Sequence, residues 1–239
     1  MRIFVAGCAR NGTTLLAELM TTFKDTYLER AERHFDYFSE IDSPERNVVL
    51  KRTRNSHQTL HALPENVGLI YSIRHPFDTL TSHHPRHPER NFYVSPKRWS
   101  AEYASLKAIQ AEQPSRQIVY VRYCDLVGTP DSTQERIAEA LGLEIGRTFS
   151  QSGIPISAKS VGKYRRDPAM QMYLNSLPHP FRLELKEYCG EFGYDLPEGY
   201  LTAGSAVAAE IEKIVAAFVA GHVSANDRVV EKTKKKHRP

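Results

Sequence analysis

The residues best suited to chemistry lie near the start of the chain. Gly7-Cys8-Ala9-Arg10-Asn11-Gly12-Thr13-Thr14 follows a short apolar run and opens a stretch with apolar residues at helical spacing. A glycine-bounded turn in that setting gathers backbone N–H groups around an anion, and the hydroxyls of Thr13 and Thr14 can donate to it. The spacing matches the ATP-type phosphate loop GxxxxGK[ST] at every position but one. Thr13 stands where that loop has its lysine, and the cation is Arg10, inside the loop. The ATP-type lysine reaches the β- and γ-phosphates from the start of the helix. A cation placed earlier is aimed at a different part of the ligand.

A second cluster follows a later apolar run. Arg74 closes Tyr71-Ser72-Ile73 and is followed eight positions later by Ser82, with Pro76 between them. Arginine binds phosphate bidentately, and a hydroxyl two helical turns on would face the same way. This stretch resembles the second nucleotide motif of sulfotransferases that use 3′-phosphoadenosine 5′-phosphosulfate (PAPS). Their motif has a strand ending in Arg-Asp-Pro or Arg-Asn-Pro and a serine at the same distance. The glycine-threonine loop then resembles the family's 5′-phosphosulfate loop, with Arg10 in the place of its lysine or arginine. Tyr123-Cys124-Asp125-Leu126 resembles the family's Tyr-Glu-Asp-Leu stretch, and Ser160 to Arg166, with Gly162, Lys163 and Tyr164, its basic glycine loop over the nucleotide. The chain departs from the pattern at His75, Cys124 and Asn11.

The resemblance implies a PAPS-dependent sulfotransferase. The sulfonate would pass in line to an acceptor hydroxyl, or less readily an amine, of a carbohydrate or small hydroxylated molecule, and the desulfated product PAP would leave. Ala9, Arg10, Asn11, Gly12, Thr13 and Thr14 would hold the 5′ end. Arg74, Ser82, Tyr123, Gly162, Lys163 and Tyr164 would hold the nucleotide and its 3′-phosphate. Arg10 would stabilise charge on the leaving phosphate, Lys51 would help hold the sulfonate, and no metal is required. The family's base is a histidine after the second strand or a glutamate after the first helix. Glu40, His57 and Asp36 are the candidates here, in that order. Two rival readings are a P-loop kinase or NTPase with a degenerate loop and a non-catalytic nucleotide or nucleic-acid binder. His83, His84 and His87 are poorly arranged for a metal, because neighbouring histidines on a helix diverge and Pro85 interrupts them.

These groups need a scaffold that brings several turns to one edge. Strands are expected at residues 2–6, 48–50, 68–73 and 117–121. Helices are expected at 13–23, Pro96–Glu112, Pro130–Leu141, 181–192 and 206–220. The alternation predicts a three-layer α/β fold of the P-loop nucleotide-binding type, with a central, mainly parallel sheet and helices on both faces. Ligands then bind beyond the carboxyl ends of the strands. A single domain is expected over residues 1–227, with a nucleotide-binding core at 1–166 and a helical part at 167–222.

Composition fits that scaffold. Of 239 residues, 41% are hydrophobic and 25% charged, as in ordinary globular chains. No apolar run approaches the roughly 20 residues of a membrane span. Cys8, Cys124 and Cys189 form no paired motif, which suits a reducing compartment, so a cytoplasmic protein is expected. The net charge of +4 resides in residues 228–239, with six cations against one acid. That tail is expected to be solvated and disordered. The remainder is close to neutral, which argues against nucleic acid as the partner and leaves oligomerisation open.

Overall fold

The computed structural model describes residues 1–53, 55–83 and 92–201. The expected helix at 206–220, the basic tail, and His84 and His87 lie outside the described residues. The strands are β1 (Arg2–Gly7), β2 (Thr26–Arg33), β3 (Asn47–Arg52), β4 (Val67–Ile73) and β5 (Ile118–Arg122). The helices are α1 (Thr13–Leu19), α2 (Pro76–Leu80), α3 (Pro96–Glu112), α4 (Tyr123–Gly128), α5 (Pro130–Leu141), α6 (Pro168–Asn175) and α7 (His179–Phe192).

The five strands form one sheet in the order β2-β3-β1-β4-β5, and every pairing is parallel. β1 is central and buried on both faces. Ile3 and Val5 enter a core with Leu16, Leu19, Ile137, Leu141 and Phe149. Phe4, between them, points the other way and meets Phe35 edge-on at 6.0 Å. On that second face Tyr71 donates from its hydroxyl to the Glu102 carbonyl of α3. Helices therefore cover both faces, as the sequence predicts. The chain leaves β1 for the edge at β2, returns to β3, then crosses β1 to β4. That reversal opens a crevice at the carboxyl end of β1, flanked by the turns after β3 and β4.

The described residues fall into two compact units. One holds 1–82 and 94–163, with the whole sheet; the other holds His83, 92–93 and 164–201. In the second unit α7 buries Phe181, Leu185, Tyr188 and Phe192. Arg182, 5% exposed, donates to the carbonyls of Leu177, Asn175 and Tyr200.

Three expectations need correction. The first helix stops at Leu19 and tightens into a 3₁₀ turn over Met20–Thr22. Thr21 and Thr22 turn their hydroxyls back onto the Glu18 and Leu19 carbonyls, competing with the helical ladder. The helix after Arg74 is a single turn ending at Leu80, so Ser82 is not two turns along it. Its hydroxyl donates to the Asp78 carbonyl. Finally, β2 was not anticipated. Its sequence, Thr-Tyr-Leu-Glu-Arg-Ala-Glu-Arg, is mostly exposed, as befits a charged edge strand.

Gly7 fixes how closely β1 and β4 meet. Its φ is +136°, and a Cβ there would lie 2.4 Å from the Ser72 carbonyl oxygen. Replacement by alanine combines backbone strain with a clash against backbone, so Gly7→Ala should cost about 3 kcal/mol or more. Urea unfolding checks this; a midpoint equal to that of the parent would contradict it.

Candidate functional site

The turn after β1 is shaped by what its carbonyls do. Arg10 has φ 73° and Gly12 φ 89°, so the chain turns back on itself within a few residues. The Gly7 carbonyl accepts from Arg52 Nη1 at 2.6 Å. The Arg10 carbonyl accepts from Arg74 Nη1 at 2.8 Å. The Asn11 carbonyl accepts from Ser72 Oγ at 2.6 Å. In a trans peptide the C=O and the next N–H point in opposite directions. Three side chains thus pull loop carbonyls outward and turn the Cys8 and Gly12 amides to the other side. An anion-binding loop needs that polarity.

Asn11 is a structural member of this loop. It is 2% exposed. Its Nδ2 donates to the Ser72 carbonyl at 3.1 Å, and its Oδ1 accepts from Thr79 Oγ1 at 2.7 Å. Both ends of its amide are thereby committed to β4 and α2.

Arg10 is half-buried; its Nε, like that of Arg33, is enclosed without a hydrogen-bond partner among the described residues, and its guanidinium has no ion pair among them. A buried polar group without a partner is uncommon and calls for an explanation. Lys51 Nζ of β3 donates to Thr14 Oγ1, at the start of the helix after the loop, at 3.1 Å and lies 3.6 Å from Glu32 Oε1. Lys51 is 9% exposed.

Glu32 is a residue that the sequence reading missed. β2 and β3 pair in register up to Glu29↔Leu50, then shift so that Glu32 sits opposite Lys51. That irregularity re-aims one side chain, as bulges beside active sites do. The three acid–base candidates from sequence lie elsewhere. Glu40 is exposed at the end of a 3₁₀ turn. Asp36 is exposed and pairs with His34 Nδ1 at 2.9 Å. His57 is on the turn Ser56–Gln58, with Nδ1 3.6 Å from Glu102 Oε1.

Across the crevice, Arg74 is 5% exposed. Its Nη2 donates to the Ser160 carbonyl at 2.7 Å, and its guanidinium lies 4.4 Å over the Tyr123 ring. The Tyr123 ring packs on Gly12, where a Cβ would come 2.5 Å from Cδ2. Its hydroxyl is 3.2 Å from Ser160 Oγ. The Gly162 N–H donates to Asp78 Oδ2 at 2.9 Å. Arg74, Asp78 and Tyr123 therefore fasten the 157–162 segment to the sheet edge. Lys163 opens a 3₁₀ turn running to Arg166, in which Tyr164 is buried. The phosphate-loop residues, Lys51, Arg74, Tyr123 and Gly162 thus come together, whereas Glu40 and Asp36 touch none of them.

The family model described as Sulfotransferase family matches residues 23–147, a little over half of the chain. The chain belongs to the sulfotransferase family. No curated protein matches it in sequence, so the kinship is distant. Among solved structures, the sulfotransferase domain of the Synechococcus PCC 7002 olefin synthase superposes with a TM-score of 0.55 at 16% identity, covering 82% of this chain and 95% of that one. The sulfotransferase domain from the curacin biosynthetic pathway gives 0.54 at 15% identity, covering 82% and 98%. Both likenesses concern the fold. Within this sulfotransferase, among the described residues, no three His, Cys, Asp or Glu side chains gather as a metal site. No described helix is long and apolar enough to cross a membrane.

Proposed function

We propose that this sulfotransferase moves the sulfonate of PAPS to the hydroxyl of a carbohydrate or small hydroxylated molecule. The observation that carries the reading is Arg10: a half-buried cation with no partner among the described residues, set in a loop whose carbonyls face away. The loop amides, Thr13 and Thr14 hold the 5′-phosphate. Arg10 takes up the charge that grows on the leaving phosphate oxygen, and Lys51 steadies the sulfonate. Arg74 serves the 3′-phosphate end, supported by Ser82, Tyr123, Gly162 and Lys163.

Glu32 is the base. The acceptor oxygen bonds to sulfur while the bond from sulfur to the 5′-phosphate oxygen breaks. The acceptor proton passes to the Glu32 carboxylate, and PAP departs with the electron pair. The placement of Glu32 beside Lys51 supports this role over Glu40, which is exposed at the end of a 3₁₀ turn.

Thermal shift discriminates the donor. PAP should raise Tm by several degrees and Mg-ATP should leave it unchanged; a rise with Mg-ATP alone would favour a kinase. A screen of acceptors with labelled PAPS then identifies the substrate class. Arg74→Ala removes two carbonyl ties and the Tyr123 contact, so PAP affinity should fall at least tenfold, with kcat reduced less. Calorimetric titration and saturating turnover measure the two separately.

A further inference from the structure

Beneath the phosphate loop lies an ion cluster that the proposed chemistry leaves unused. Glu102 of α3 is 3% exposed and Arg52 of β3 is 5% exposed. Arg52 Nη1 donates to Glu102 Oε1 at 2.7 Å and, from the same nitrogen, to the Gly7 carbonyl at 2.6 Å. Its Nε donates to the Thr53 carbonyl at 2.9 Å. His57 Nδ1 and Arg98 Nε also approach Glu102 Oε1, at 3.6 and 3.9 Å. A second consequence of this charge lies in the loop itself. The buried Cys8 thiol is held far above its ordinary pKa, first by burial and then by Glu102, so it stays neutral.

A buried ion pair is a poor source of stability, because desolvating two charges offsets their attraction. Its geometry here points elsewhere. Arg52 Nη1 is shared by the Glu102 carboxylate and the Gly7 carbonyl, and its Nε holds the Thr53 carbonyl. The Gly7 carbonyl belongs to the first peptide of the phosphate loop. Turning the Gly7 carbonyl toward Arg52 forces the Cys8 N–H the opposite way.

We infer that Glu102 and Arg52 are positioning residues for sulfonate transfer: Glu102 orients Arg52, and Arg52 sets the first peptide of the loop that grips the donor. The inference rests on the donor reading above for its consequence in catalysis, but not for its effect on the loop.

The decisive variant removes both charges together, Arg52→Met with Glu102→Leu. Volume-matched apolar replacement of a buried pair usually keeps or improves folding, whereas removing one partner strands the other. The double variant should therefore melt above Glu102→Leu alone. A purely structural pair would restore the loop along with the fold. A positioning pair would not: amide exchange in the peptide spanning residues 7–14 should rise at least tenfold, with exchange in β5 unchanged. PAP affinity should fall about tenfold. Loop exchange equal to that of the parent would overturn the inference. Should the double variant fail to fold, Arg52→Lys decides by the same readouts, because lysine keeps the charge but lacks the fork whose Nη1 and Nε hold the Gly7 and Thr53 carbonyls separately. Parental exchange rates in that variant would equally overturn it. If the parent protein bound no PAP, the donor reading would fall while the exchange arm still decided the role of the pair.

Discussion

Replacing Arg10 by alanine is expected to lower kcat for sulfonate transfer about a thousandfold and leave the free protein as stable as before. Removing one preorganised donor from a site of developing charge costs about a hundred- to a thousandfold, and a cationic donor lies at the upper end. PAP also carries the 5′-phosphate, so its affinity should fall by about tenfold. The unaltered stability follows from the structure of the free protein. The Arg10 side chain makes no hydrogen bond or ion pair with any described residue, and the carbonyl that accepts from Arg74 stays in the alanine variant, so its removal breaks nothing. Its φ of 73° is as uncomfortable for alanine as for arginine. Arg10→Lys should recover only part of the rate, because an ammonium lacks the planar fork. Single-turnover kinetics and thermal melts decide between this and a structural role. An alanine variant that melts many degrees lower, or turns over normally, would refute the assignment.

The phosphate loop was legible in the sequence because its signal is local. Two glycines, a cation and paired hydroxyls lie within eight consecutive residues, between an apolar strand and an amphipathic helix. The central strands were legible for a related reason. β1 and β4 are buried on both faces, so their side chains read as nearly unbroken apolar runs. β2 carries the opposite signature. At the sheet edge its side chains face water, and Thr26–Arg33 resembles a loop in composition. Missing β2 also hid Glu32, since only the pairing with β3 brings it to Lys51.

Long-range ties left no trace in the sequence. Arg52 and Glu102 are 50 positions apart, and Arg74 meets Ser160 across 86. Arg52 reads there as one more cation in Lys51-Arg52-Thr53-Arg54, and Glu102 as a polar residue on a helix. Asn11 was read from its loop position as a ligand-facing residue. The structure gives it a different task, bridging Ser72 and Thr79. Spacing identifies which backbone turn can bind an anion. It does not say which side chains of that turn look inward, because that depends on strands that arrive later in the chain.

Glu32→Gln should be the second large loss, with kcat falling between a hundred- and ten-thousandfold, the range for a general base. PAP affinity should change less than threefold, since Glu32 touches Lys51 and no phosphate-loop atom. The split between rate and affinity separates this variant from Arg10→Ala, which lowers both. Folding should hardly respond: the Glu32 side chain is 57% exposed, and glutamine preserves its length. Glu40→Gln is the rival variant. It alters an exposed carboxylate at the end of a 3₁₀ turn, so its rate should stay within about twofold of the parent. The two measured side by side assign the base. A large loss in Glu40→Gln with normal turnover in Glu32→Gln would transfer the role to Glu40. Retention of rate in both would place proton removal on another group. Glutamine cannot take the acceptor proton, but it can still hydrogen-bond Lys51. A loss in Glu32→Gln therefore reports the missing proton acceptor and not a displaced lysine. Lys51→Met supplies the complementary result: with its tie to Thr14 gone, both kcat and PAPS affinity should fall.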